Sequence, residues 1–138
     1  MADEMWWTTI GDRIYTILKK RLISALSEKY PTLMVGTTDK DPGDYKAPYV
    51  YLQELTPVER GQTLDNSGVH AVMETIQITV TTDTSLADAM AIANECVRQF
   101  KHMRFNVSAM PIPTTRKDGY HAVCRFRRII GADDDLAK

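Results

Sequence analysis

The 138-residue sequence lacks the motifs by which most enzymes and membrane proteins are identified. It contains no glycine-rich phosphate loop, no H-E-x-x-H pair, no G-x-S-x-G elbow and no paired-cysteine motif. No apolar stretch approaches the roughly 20 residues that span a bilayer. These absences argue against catalysis and against a membrane-spanning role.

Cysteine and histidine are scarce, with two cysteines and three histidines in the chain. Cys96 and Cys124 lie far apart without metal-ligand spacing, and each falls on the apolar face of a predicted element, which is typical of reduced core residues. His70, His102 and His121 have no partner at metal-ligand or relay spacing. We therefore predict that the protein is not an enzyme and that it has no catalytic residues, no metal and no cofactor.

A strong charge of one sign is also missing, because 17 basic residues balance 18 acidic ones and the formal net charge is -1. No overall basic field attracts nucleic acid, so any such role depends on a local patch. A hydrophobic share of 43% and a charged share of 25% are typical of a globular domain. The opening segment, MADEMWWTTIGDR, lacks the basic lead and apolar run of a signal peptide, so we expect a protein made and kept inside a cell.

Hydrophobic periodicity predicts two helices and five strands. In chain order they are a helix at 9–27, strands at 33–38, 49–55 and 69–82, a helix at 83–103, and strands at 104–112 and 120–130. This α-β-β-β-α-β-β order predicts an α+β domain at 9–131, with a largely antiparallel sheet and two helices on one face. We expect a long loop or arm at 57–68, a flexible N-terminal segment at 1–8 and a frayed acidic tail at 132–138.

Several residues mark the ends of these elements. Thr9 and Asp12 resemble a capping box for the first helix, and a hydroxyl at Thr84 or Ser85 is well placed to cap the second. Pro111 and Pro113 are expected to end the strand that begins at 104.

The faces of the last two long strands differ in character. In the strand at 69–82, one face carries Val72, Glu74, Ile76, Ile78 and Val80. In the strand at 120–130, one face carries Tyr120, Ala122, Cys124 and Phe126, whereas the other carries His121, Val123, Arg125, Arg127 and Ile129. The basic face has three explanations, which are a solvated surface, a subunit contact and a nucleic-acid surface.

Arginine is a more specific choice than a solvated face requires. Arg125, Arg127 and Arg128 supply planar groups that bind carboxylates and phosphates, and arginine is enriched at protein interfaces. A surface for single-stranded nucleic acid needs aromatic side chains on the same face, where only His121 is available. A solvated face or a subunit contact is therefore favoured over nucleic-acid binding. The adjacent Trp6 and Trp7 either pack onto the domain's own helix or contact a partner.

Four segments in succession carry a resemblance to a known family. After the first helix come PYVYL (48–52), ETIQITVTT (74–82), TSLADAMAIANECV (84–97) and GYHAVCRFR (119–127). This succession resembles the small tail-completion and tail-terminator proteins of tailed bacteriophages, over roughly 10–130 and in the order of elements rather than in an invariant signature. The resemblance implies an α+β subunit that closes into a ring, usually a hexamer, on the end of the tail tube. The ring stops tube growth and presents a head-tail joining surface.

The resemblance also implies partners and contact residues. The partners are further copies of the chain, the tail tube protein and a head-completion or neck protein, with DNA passing through the lumen and no membrane involved. The protein is then part of the virion tail or neck and assembles in the host cytoplasm. The residues expected at subunit or partner contacts are Trp6, Trp7, Glu59, Arg60, Asp65, Glu74, Arg125, Arg127 and Arg128, with Glu54 as a further acidic counterpart to the arginines.

Two alternatives stay open on the sequence. One is a neck or head-completion connector of the same particle, bound on the portal side. The other, from a different class, is a cytoplasmic α+β module that binds RNA or a small ligand, for which salt-dependent binding of oligonucleotides by an isolated monomer would be the sign.

Overall fold

The computed structural model describes residues 5–37, 48–60, 68–117 and 119–137. The helices are α1 (Ile10–Leu26) and α2 (Leu86–His102), and the strands are β1 (Met34–Gly36), β2 (Tyr49–Glu54), β3 (Val58–Arg60), β4 (Ala71–Thr82), β5 (Asn106–Arg116) and β6 (Gly119–Gly131). The sheet order is β1-β2-β4-β6-β5, and β3 pairs with β4 beside β2. All pairs are antiparallel except β1 with β2. The predicted α+β fold is therefore confirmed.

Both helices bury the stripe that their periodicity predicts. In α1, Ile10, Ile14, Leu18 and Leu22 recur every four residues and are all fully buried. The Ser85 hydroxyl accepts a hydrogen bond from the Asp88 backbone N–H at 3.1 Å, which confirms the predicted cap of α2.

The predicted capping box of α1 is wrong. The Thr9 side chain makes no capping hydrogen bond, because a 3-10 helix at Trp6–Thr9 runs directly into α1. Thr9 therefore lies inside a helical segment and does not adopt the extended backbone of an N-cap.

The core forms between the helices and one face of β4 and β6, which pair along their whole length. The period of two read from the sequence holds, since the buried positions of β4 alternate with half-buried ones. At the centre, the Phe100 ring of α2 stacks on Phe126 of β6 with centroids 4.2 Å apart and meets Phe105 edge to face at 5.1 Å. We call this side of the sheet the covered face.

Strand β5 is longer than predicted and runs through Pro111 and Pro113 to Arg116. It is the last strand of the sheet and pairs only with β6. An edge strand tolerates proline because the missing N–H belongs on its unpaired side. Irregularities in the pairing between Val107 and Ile112 adjust the strand to its partner.

The segment predicted as an arm at 57–68 contains the short strand β3, which pairs with the first residues of β4. Residues 61–67 lie outside the described part of the chain. The three-residue strand extends the sheet past the end of β2, so the start of the predicted arm belongs to the sheet.

The two ends of the domain are more structured than predicted. Residues 6–9, expected in a flexible segment, form the 3-10 helix that leads into α1, and Trp6 is only 6% exposed. Asp135–Ala137, expected in a frayed tail, form a second 3-10 helix with Leu136 buried. Residues 1–4 and 138 are outside the described ranges.

Within those ranges, none of the helices combines the length and the apolar character needed to cross a membrane.

Candidate functional site on the open face of the sheet

The side of the sheet opposite the helices, here called the open face, carries the side chains of interest. The cross-strand register arranges them in rows that run across β2 or β3, β4, β6 and β5. From one end of β4 to the other the rows are Val58–Met73–Ile129, Thr75–Arg127–Asn106, Gln53–Gln77–Arg125–Ala109, Tyr51–Thr79–Val123–Ile112 and Tyr49–Thr81–His121–Thr114.

Large apolar side chains are exposed in two of these rows. Val58 is 49% exposed and Ile129 is 54% exposed, and both are cross-strand neighbours of Met73. In the fourth row, Ile112 is 64% exposed beside the half-buried Val123. β-branched residues favour strands, which accounts for their presence but not for their exposure to solvent.

A basic band lies between the two apolar rows. Arg125 and Arg127 are exposed, as the alternation of β6 predicts. The Arg125 Nη2 donates to Gln77 Oε1 at 2.7 Å, which holds the guanidinium across β4. Arg127 lies opposite Thr75 and Asn106, so the band reaches from the middle of the sheet to its β5 edge.

The fifth row is buried except at Thr114, which is half-buried. Tyr49, Thr81 and His121 are buried, and His121 Nδ1 lies 3.0 Å from Thr81 Oγ1. The accessible part of the open face is therefore the first four rows, in which apolar side chains flank the arginines.

Arg128, predicted with the other two arginines, does not belong to this face. It lies on the covered face, where Nη1 donates to the Met103 carbonyl at 2.9 Å and Nη2 pairs with Asp134. Its side chain is 15% exposed. The period of two explains this placement, because Arg128 follows Arg127 directly along β6.

Glu74, predicted at a subunit or partner contact, is buried. The structure places it on the covered face with no exposed surface, so no neighbouring subunit can reach it in this conformation. Glu54 lies on the same face, opposite Ile76, with its carboxyl against Gly11 of α1. Neither residue is positioned to meet the arginines of the open face.

The two tryptophans pack onto their own domain. The Trp6 Nε1 donates to the Val69 carbonyl at 3.1 Å, and the Trp7 ring meets Trp6 edge to face at 6.1 Å. Trp7 remains half-buried against the core. Trp6 therefore packs onto its own domain, and it is not an exposed candidate for a partner contact.

The remaining candidates lie in or near β3. Glu59 is half-buried on the covered side of the strand, opposite Val72, whereas Arg60 is exposed and donates to the Glu59 carbonyl at 3.2 Å. Asp65 lies outside the described residues. Of the two described residues, Glu59 and Arg60, Arg60 is the exposed one at the border of the open face.

Sequence reasoning missed most of the exposed apolar residues of the open face. The one signal in the sequence was Ile129, an apolar residue on the face of β6 that carries Arg125 and Arg127. Val58 fell in a predicted loop and Ile112 at a predicted strand end, so their alignment with Met73 and Val123 required the register.

The two cysteines lie in the core, and the described residues hold no cluster of metal-ligating side chains. Both cysteines are free and buried, and burial raises the pKa of Cys124 to about 12 and that of Cys96 well above its ordinary value. Such thiols are poor nucleophiles because the reactive form is the thiolate. No group of three histidine, cysteine, aspartate or glutamate residues converges in these ranges to hold a metal ion.

No protein-family model matches the chain, and no curated protein matches it significantly.

Proposed function

We propose that this protein is a structural subunit of a tailed bacteriophage that forms a ring at the end of the tail tube. The ring ends tube polymerisation and provides the head-tail joining surface, and its partners are copies of itself, the tube protein and a neck protein. The proposal joins the resemblance in the order of elements to one structural observation, the composition of the open face.

The observation that supports a contact surface is the exposure of three β-branched side chains around the arginines. An antiparallel sheet with one face in water ordinarily carries polar residues there. Here Val58, Ile112 and Ile129 are about half exposed or more. Exposed apolar side chains grouped on one face indicate a protein interaction site, and arginine is enriched at such sites.

The same composition favours protein over nucleic acid as the partner of this face. A single-strand platform uses aromatic rings next to the basic groups. The accessible rows contain one aromatic residue, the half-buried Tyr51, which lies in the row next to that of Arg125 but two strands away from it. With a net charge of -1, the chain also lacks the basic excess typical of nucleic-acid-binding domains.

The position of the basic band also indicates how copies of the protein are related in the proposed contact. A two-fold contact whose axis passes through the basic band would bring Arg125 and Arg127 of both copies together, and like charges in an interface cost several kcal/mol. A head-to-tail contact places the arginines against a different surface of the neighbour. Head-to-tail contacts form a ring when the rotation between copies closes and an open filament when it does not, and the closed case fits the proposed role.

The test is complementation of a phage from which the gene has been deleted, with tail length measured by electron microscopy. The wild-type gene and Arg98→Glu should restore tails of normal length, because Arg98 is an exposed residue of α2 on the other side of the molecule. Arg125→Glu combined with Arg127→Glu should leave overlong tubes, as the deletion does.

Two results would contradict the proposal. Normal tails with leaky heads in the deletion phage would favour a head-completion protein on the portal side. Tails of normal length with the Arg125→Glu, Arg127→Glu variant would show that the open face is not the contact surface.

A further inference from the structure

Among the described residues, Glu74 is the one polar residue in the group of largest fully buried side chains. It has no exposed surface, and within the described residues neither carboxyl oxygen has a hydrogen-bond partner. Its neighbours along the covered face of β4 are Val72 and Ile76. An ionised carboxylate in such a place is strongly unfavourable unless a positive charge compensates it.

The nearest candidate for compensation is Arg128, which lies directly across from Glu74 on β6. The guanidinium is engaged elsewhere, because it donates to the Met103 carbonyl and pairs with Asp134. The charged neighbour on the other side is Glu54, an exposed residue of the same sign that pairs with Ile76, two residues along the covered face of β4. Burial and then the neighbouring Glu54 raise the pKa of Glu74 to about 9.

Glu54 links this buried acid to the first turn of α1. Its carboxyl lies against Gly11 so closely that a Cβ on that residue would be 2.5 Å from Oε1. Gly11 therefore lets the helix approach the carboxyl. On its other side Glu54 lines an open cavity of about 330 Å³, together with Asp12 and Thr37.

Other charged groups lie on the elements packed around Glu54 and Glu74. They are Asp12 and Arg13 on α1, Glu59 on β3, Arg128 on β6, and Asp134 and Asp135 in the C-terminal segment. Among the described charged residues, Glu54 is the one that contributes to the raised pKa of Glu74.

We propose that Glu54 and Glu74 share one proton, and that this proton keeps the first turn of α1 seated on the sheet. Two carboxylates are both acceptors, so a hydrogen bond between them requires that one carries a proton. When hydroxide removes the proton to water, two negative charges face each other beside a low-dielectric core. Glu54 then moves into the cavity, away from Gly11, and the first turn of α1 loses its contact with the Glu54 carboxyl.

The pair makes stability fall as pH rises. Between about 4.5, the ordinary pKa of a glutamate, and about 9, the folded protein keeps a proton that the unfolded chain has lost. Each pH unit in this window therefore raises the unfolding equilibrium constant by up to tenfold. Below the window the stabilisation by the shared proton is complete, and above it the stabilisation has gone.

The experiment measures urea unfolding of the full chain from pH 5 to pH 9 for wild type and two variants. Glu74→Gln imitates the protonated acid, so it should match wild type near pH 5 and become progressively more stable than wild type at higher pH. Glu28→Gln removes an exposed glutamate of similar charge and should run parallel to wild type. Parallel curves for wild type and Glu74→Gln would overturn the proposal.

Three further measurements test the proposal, and the first of them uses wild type alone. Carbon NMR of the Glu74 carboxyl in wild type should show a protonated acid at pH 7, and a carboxylate there would overturn the proposal. Amide hydrogen exchange at Gly11–Ile14, compared at each pH with Glu74→Gln, should quicken in wild type toward pH 9 while Leu22 stays protected. Stabilisation of wild type at pH 9 by millimolar Mg²⁺ or Ca²⁺, absent in Glu74→Gln, would show a cation site in place of a shared proton.

Discussion

At the scale of single residues, Arg104 shows how the backbone constrains sequence where α2 ends. The Phe105 N–H donates to the Phe100 carbonyl and the Arg104 N–H to the Lys101 carbonyl, each at 2.9 Å. This helix-ending pattern needs a left-handed residue, and Arg104 adopts φ 69° there. A side chain at such a position costs free energy that glycine avoids.

We therefore expect Arg104→Gly to raise the free energy of unfolding by about 0.5–1 kcal/mol, since the relief of backbone strain exceeds the added entropy of the unfolded chain. Arg98→Gly, an exposed change inside the same helix, should lower it by about 1 kcal/mol. Urea unfolding at one pH measures both. Equal losses in the two variants would show that Arg104 is not strained.

At the scale of elements, Asp134 is one of the residues that hold the C-terminal segment on the domain, together with the buried Leu136 and the Ala132 N–H, which donates to the His70 carbonyl. Asp134 pairs with Arg128, which is itself tied to the end of α2, and its Oδ1 accepts from the Leu136 N–H at 3.0 Å. Both charged side chains are mostly shielded, at 15% and 20% exposure. The segment therefore covers the end of the core with Leu136.

Removing this carboxyl should loosen the segment. Asp134→Ala leaves the Arg128 charge unpaired in a shielded place and should cost about 2–3 kcal/mol of stability, between the values for exposed and fully buried pairs. Asp133→Ala removes an exposed neighbour and should change stability by less than about 0.5 kcal/mol. Similar midpoints for both variants in urea would show that the pair does not hold the segment.

Local sequence patterns predicted the helices and strands well, but they predicted poorly which groups each element contacts. The four-residue repeat of α1 and the alternation of β4 and β6 are set by which side chains face the core, and sequence displays that directly. The continuation of β5 through Pro113 depends on its position at the sheet edge, which only the assembled sheet decides. Alternation along a strand predicts which face Arg128 and Glu74 occupy. It does not predict which other side chains contact them there.

At the scale of the whole molecule, the two sides of one sheet are built differently. The covered face holds the aromatic and aliphatic core, whereas the open face leaves Ile112 and Ile129 in solvent around two arginines. The domain does not need these apolar side chains for its own core. The proposed ring gives them a partner surface.

Self-association of the purified protein should therefore depend on the apolar rows. Ile112→Thr and Ile129→Thr keep a β-branched residue in each strand, and each should weaken association about tenfold through the lost burial of about 1.4 kcal/mol. Ile23→Thr changes an exposed isoleucine of α1 and should leave association unchanged. Light scattering over a concentration series compares the three, and an equal effect of Ile23→Thr would argue against the open face.

Electron cryomicroscopy of the phage tail end tests the central claim most directly. The account predicts a closed ring of this chain on the last tube layer, with Arg125, Arg127 and Ile129 of each copy buried against the next. Particles in which the chain is missing, or in which it lies at the tube end with that side of its sheet facing solvent, would contradict it.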